Sequence, residues 1–195
     1  MRNFVLGVLA AATAAMGAAS AAVDVFLWED GSDLRLQAEG TLDLTGLTFN
    51  GTANFVDGLL ISAPNGWLGA STGPTDRYDL PGSTPPAFGT GSFNLFGTFT
   101  GTNSFFTDEV GANTGIIWVS SGFQSGDSIF AAGIAENESL ASVGADIGVY
   151  VWTLPNDTVT FRIGTAPNAE IVPVPPALAL FGAGALTFLR KTKRS

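Results

Sequence analysis

The chain has 195 residues, with 25 Gly, 10 Pro and 15 Phe, and contains neither Cys nor His. Without Cys there is no disulfide, thiolate nucleophile or Cys-held metal; without His there is no Ser-His-Asp triad, imidazole base or His-held metal. Seventeen acids stand against eight bases, and the length suits one domain with appended segments.

The first segment reads as an address. Met1-Arg2-Asn3 is a positive start, and Phe4 to Leu9 with the alanines that follow forms an apolar run. Ala19-Ser20-Ala21 places small residues where a signal peptidase needs them, so residues 1–21 are expected to form a signal helix cut after Ala21.

Residues 22–171 hold all the acids but only Arg35, Arg77 and Arg162 among the bases, a net charge of −14. That charge keeps a protein soluble and repels nucleic acid and anionic membrane surfaces. The local pattern is strand and turn. Val23–Trp28, a turn at Asp30-Gly31-Ser32 and Leu34–Glu39 predict a hairpin, and Thr41–Thr45 continues its alternation. Phe93–Thr100 predicts one strand and Gly115–Val119 a buried one. Glu138–Val143 suits one short helical turn. Val149–Leu154, a turn at Pro155-Asn156-Asp157 and Val159–Ile163 predict a closing hairpin. In its second arm Val159, Phe161 and Ile163 share a face. In its first arm Val149 and Val151 point one way, and Tyr150, Trp152 and Leu154 the other. The expected fold is all-β: a single antiparallel β-sandwich, jelly-roll-like, over 22–171.

The last segment, 172–195, reads as a second address. Val172-Pro173-Val174-Pro175-Pro176-Ala177 leads into an apolar run ending at Leu189, followed by Arg190, Lys191, Lys193 and Arg194. Prolines block helix upstream of the run. As a helix, Ala177–Leu189 spans roughly 20 Å, short of the ~30 Å hydrocarbon core, and basic side chains extend it by snorkelling. The basic cluster stays cytoplasmic, so the rest of the chain lies outside. Ala179 and Ala183 form a small-xxx-small pair, a helix-pairing cue.

This order of proline motif, apolar helix and basic cluster resembles the PEP-CTERM sorting signals, closest to the VPxP or VPLPA-type variants. The Pro-Glu-Pro itself is absent, and Glu170 lies two residues before Val172. The middle of the chain resembles the β-rich passengers found ahead of such tails, through Gly40–Leu47, Phe88–Gly91, Leu140–Gly144 and Tyr150-Val151-Trp152. The resemblance implies a Gram-negative surface protein, processed by an exosortase-type enzyme and associated with exopolysaccharide or biofilm matrix.

Motifs for chemistry are sparse. Gly69-Ala70-Ser71-Thr72-Gly73 matches G-x-S-x-G, but the nucleophile elbow requires a following helix and a His. Asp24, Glu29, Asp30, Asp33 and Glu39 crowd the first hairpin without marking a glycosidase pair. Calcium, which takes oxygen ligands, is the metal this composition suits. Asp30–Asp33 and Asn156-Asp157-Thr158 are the candidate turns, though neither follows the twelve-residue loop pattern. Trp28, Trp67, Trp118 and Trp152, with Tyr78 and Tyr150, offer flat apolar bodies with polar handles. Trp67, Tyr78, Tyr150 and Trp152 are the candidate glycan platform. The leading expectation is an exported, non-catalytic surface or matrix protein without cofactor, structural or adhesive in role. A carbohydrate-binding module is the alternative, and a glycan-active enzyme with a carboxylate pair a distant third.

Overall fold

A computed structural model describes residues 22–55 and 57–167. The signal segment with Ala19 and Ala21, the proline motif Val172–Ala177 and the basic cluster from Arg190 to Arg194 lie outside the described residues. Thirteen strands follow in order: β1 (Ala22–Asp30), β2 (Asp33–Thr41), β3 (Thr48–Asn54), β4 (Gly58–Ser62), β5 (Trp67–Ser71), β6 (Pro74–Pro81), β7 (Asn94–Phe96), β8 (Thr98–Phe99), β9 (Phe105–Glu109), β10 (Thr114–Ser120), β11 (Ser128–Ala135), β12 (Gly148–Thr153) and β13 (Thr158–Ile163). The fold is all-β. Six strands form one sheet in the order β12-β13-β1-β2-β11-β8, and seven form the other, β3-β6-β10-β9-β5-β4-β7.

The first hairpin forms as its alternation predicts. Val23, Val25 and Leu27 on β1, and Leu34, Leu36 and Ala38 on β2, are buried on one face. Gly31 takes a left-handed φ of 68° in the tight turn between them, a conformation that glycine enters without steric cost. The closing hairpin also forms, with Val159, Phe161 and Ile163 turned to the core. The second sheet meets these faces with Leu59, Ile61, Leu68, Ala70, Phe105, Ile117 and Val119, giving one shared hydrophobic cluster.

The pairing of the two hairpins departs from a purely antiparallel sandwich. β1 and β13 run parallel, from Ala22 opposite Thr158 to Leu27 opposite Ile163, whereas the other strand pairs are antiparallel. The Phe93–Thr100 run is two strands, not one. β7 pairs with β4 in the seven-stranded sheet, and β8 pairs with β11 in the other. Gly97 sits at the break, where a Cβ would come to 3.1 Å from the Ile134 carbonyl oxygen.

The alternation expected to continue through Thr45 stops at Thr41. Asp43 Oδ1 accepts from the Thr45 N–H at 2.8 Å, and the Leu47 N–H bonds to Leu44 O at 3.0 Å. This local hydrogen bonding competes with a strand ladder. Around Glu138–Val143 the chain makes a compact turn, with Val143 N–H bonding to Ser139 O at 3.2 Å.

Candidate functional site

The two outer faces of the sheets differ in chemistry. On the seven-stranded sheet, strand alternation that sends Leu59, Leu68, Phe105 and Ile117 inward sends Leu60, Trp67, Phe106, Ile116 and Trp118 outward. These do not stay exposed. Leu60, Phe106, Ile116 and Trp118 form a second buried cluster, with Phe55 and Trp67 packed against it. Phe106 and Trp118 stack with centroids 5.5 Å apart, and Phe55 meets both edge-on at 4.8 and 4.6 Å.

Polar groups rim this cluster. The Arg77 guanidinium lies 5.8 Å from the Trp118 ring centre and pairs with Asp79 through two hydrogen bonds of 2.6 and 3.1 Å. Trp118 Nε1 donates to Asp108 at 3.3 Å. Burial pushes the Asp108 carboxyl above its ordinary pKa, against the lowering effect of the Glu109 N–H, the Trp118 indole and Arg77. Beside Phe55 is a small apolar cavity of about 110 Å³ lined by Phe55, Gly58, Leu60, Ser71, Phe93 and Leu95. The Ser71 hydroxyl and the Trp67 indole nitrogen are buried without a hydrogen-bond partner among the described residues.

The outer face of the six-stranded sheet is a flatter mixture of charge and ring. Arg162 donates to Asp24 at 2.7 Å and lies 5.9 Å from the Phe26 ring centre. Gln37 donates to Glu39 at 2.6 Å, and Arg35 pairs with Asp30 at 2.6 Å. Trp28, Arg35, Gln37, Thr100 and Phe130 line a groove of about 200 Å³, and Phe130 is 40% exposed.

The four candidate platform aromatics are not brought together. Trp67 is on the outer face of the seven-stranded sheet, half-buried, edge-on to Phe93 at 5.7 Å. Tyr78 faces the shared core and meets Phe49 at 5.6 Å. Tyr150 and Trp152 belong to the core side of the six-stranded sheet. Tyr150 lies 6.3 Å from Phe88 and donates its hydroxyl to Asp146 O at 3.2 Å. Trp152 is buried and donates its indole N–H to Ser83 Oγ at 2.8 Å. Its ring fills the space that a side chain at Gly115 would need. Alternation alone left either face of β12 open to burial; the facing sheet decides it, and Val149 and Val151 are outside.

The other motifs fall into structural roles. Ser71 ends β5, and the chain turns at Gly73 into β6 rather than into a helix, so the G-x-S-x-G run has no elbow geometry. The acids of the first hairpin are held singly. Glu29 accepts from Leu140 N–H at 2.8 Å, and Asp33 from Asn137 N–H at 3.1 Å. Asp24 stands opposite Glu39 in the β1–β2 register, but on an open sheet face, with Arg162 and Gln37 as their partners.

The two candidate calcium turns sit at opposite ends of β1, since Ala22 is beside Thr158 and Asp30 closes the other end. Asp157 is buried and accepts from the Asp43 N–H at 2.8 Å and the Thr158 N–H at 2.6 Å. Burial raises its pKa, the two N–H groups oppose that, and the charge on Asp43 adds to the rise. Among the described residues, no three acidic side chains gather as a ligand set for a metal. No described helix is long and apolar enough to cross a membrane.

Asp76, which the sequence did not single out, accepts three hydrogen bonds. Burial pushes its pKa up, but the Thr52 hydroxyl (2.6 Å), the Gly122 N–H (2.9 Å) and the Ser121 hydroxyl (3.0 Å) outweigh it and leave the carboxyl below its ordinary value. No protein-family model, curated protein or solved structure matches the chain.

Proposed function

We propose that this chain is an exported, non-catalytic protein of the cell surface or extracellular matrix, delivered by a cleaved signal peptide and sorted by its C-terminal segment. The observation that carries the reading is the order at the end of the sequence: Val172–Ala177 with three prolines, an apolar run to Leu189, then Arg190, Lys191, Lys193 and Arg194. Signal peptidase and an exosortase-type enzyme are its processing partners. The apolar run holds the chain transiently in the inner membrane, its basic end cytoplasmic. The role of the β-domain is structural or adhesive, in contact with exopolysaccharide.

Several features of the folded part support this. Asp157 and Glu29 are engaged by backbone N–H groups, and Asp24 by Arg162. The chain has no Cys whose redox state an oxidising exterior could change. Repeated crossings between sheets, at β2 to β3 and β10 to β11, support a jelly-roll-like reading, from which the parallel β1–β13 pair departs.

The groove holding Trp28, Gln37 and Phe130 favours a second reading, a glycan-binding module. It places aromatic bodies beside hydrogen-bonding groups, the combination that sugar rings require. Affinity electrophoresis through polysaccharide gels separates the two. A glycan binder is retarded, and Trp28→Ala abolishes the retardation.

The intact mass of the protein recovered from the native cell surface tests the main reading. The expected mass starts at Ala22 and lacks the basic end. Deleting 172–195 should release the protein from the membrane fraction. Changing Arg190, Lys191, Lys193 and Arg194 to Gln should reduce the mature surface form. A surface protein that retains Met1, or sorting that is indifferent to both changes, overturns the proposal.

A further inference from the structure

A β-sheet edge presents unpaired N–H and C=O groups, and proteins guard such edges with brevity, bulges, prolines or charge. Among the described residues the two sheets have four edges, β12 and β8 in one and β3 and β7 in the other. β7 is three residues long and β8 two. β3 is bulged between Phe49 and Thr52, with Gly51 at a φ of 107°. β12 has none of these guards. Its six residues, Gly-Val-Tyr-Val-Trp-Thr, pair with β13 without a register shift, from Gly148 opposite Ile163 to Thr153 opposite Thr158. Val149 and Val151 are 60% and 55% exposed, and Ile147 just before them 77%.

We propose that β12 is a self-association edge: two copies pair their β12 strands antiparallel about a two-fold axis and join their six-stranded sheets. Charge selects a second copy as the occupant. The exported part of the chain is strongly acidic, so two copies repel wherever their acids meet. From Ile147 to Leu154 no residue is charged, and Arg162, opposite Val149, is neutralised by Asp24 at 2.7 Å. This edge is therefore a place where like can meet like, while a basic peptide finds no acid on the strand to hold it. The strand is also self-complementary. With Tyr150 opposite its own copy, Val149 faces Val151 of the other strand in both directions, and Ile147 faces Thr153. Each pair is β-branched, the class that packs best across strands. Both copies use the same patch, as a closed two-fold contact requires. One strand is small beside a standard interface of about 1,600 Å², so the pairing is weak in dilute solution and favoured on a crowded surface.

The natural absence of cysteine allows a register-specific test on the full-length chain in non-ionic detergent. Single-cysteine variants Val149→Cys and Val151→Cys, mixed and oxidised, should give a covalent dimer on a non-reducing gel. Either variant alone should give several-fold less, because residues 149 and 149 of two copies stand diagonally apart. Mixing Val149→Cys with Thr160→Cys, one strand inward, should give only background. In sedimentation at high concentration, Val149→Lys with Val151→Lys should weaken self-association at least tenfold with an unchanged circular dichroism spectrum. Ala179→Leu with Ala183→Leu should leave it unchanged. A mixed sample no more cross-linked than the Thr160→Cys control overturns the proposal, and would mean that residues 168–195 or a foreign strand occupy the edge. So does single-variant cross-linking equal to the mixture, or self-association lost only with the tail change.

Discussion

The two sheets present opposite solutions to the same problem, an outer face that no third layer covers among the described residues. Over β1, β2 and β11 the six-stranded sheet breaks its apolar content into single rings among polar and charged groups: Phe26 under Arg162, Trp28 beside Arg35, Phe130 opposite Glu39. The seven-stranded sheet gathers its rings and closes them with Phe55, a residue from the β3–β4 connection. The first face stays wettable and available, whereas the second becomes a satellite core. Aromatic content alone therefore does not mark a binding face. What decides is whether a loop supplies the covering ring.

The comparison is broken most directly by truncating one ring on each face. Phe106→Ala or Trp118→Ala, in the covered cluster, should cost about 3–5 kcal/mol. Phe130→Ala, on the open face, should stay within about 0.5 kcal/mol. Urea denaturation measures both, and equal costs would mean that the two faces are packed alike. Next in size is the anchor that joins β3, β6 and the β10–β11 connection. Asp76→Ala removes three hydrogen bonds to a carboxylate and should cost about 2–3 kcal/mol. Asp76→Asn should cost less, since it keeps an acceptor.

Acid sharpens the contrast further. The fold favours the protonated forms of Asp108 and Asp157, whose pKa values are raised. They therefore add stability as pH falls from 7 through their raised values toward the ordinary 3.8. Asp43 and Asp76 are lowered; their contribution is present above 3.8 and lost as pH falls through their folded values. The thermal midpoint should rise by a few degrees on mild acidification and drop below about pH 3.8. In Asp108→Asn, on the covered face, part of the rise should disappear. The ion pair on the open face counts for little as well. Asp24 and Arg162 are each more than a third exposed, and Arg162→Gln should cost no more than about 1 kcal/mol, falling with added salt.

Where the sequence was readable, the reason is visible in the same two faces. β1, β2 and β13 each bury one side and wet the other, so their alternation is plain, and the all-β class followed from them. β4 is buried throughout and β5 nearly so; with both sides covered, Leu59-Leu60-Ile61 carries no period to read. β6 is obscured for the opposite reason. Its Asp76, Arg77 and Asp79 look like loop residues until their partners Thr52, Ser121, Trp118 and Asn50 are in place. For Tyr150 and Trp152 no local pattern says which face of β12 the second sheet covers, and burial of Trp152 follows from that contact alone. Phe55 gave no local signal at all, because its role depends on rings that are brought under it only by β9 and β10.

The parallel pairing of β1 with β13 bears on the time course of folding. Asp24 and Arg162 meet across 138 positions of chain. The β1–β2 hairpin can close early, but one edge of β1 stays bare until the last described strand arrives. Loop closure over that span is costly and slow, and an open strand edge is the form in which chains aggregate. The first described strand is thus completed by the last described one. The rate at which 158–163 reach β1, rather than the strength of any one contact, sets how long the chain needs shelter from its neighbours.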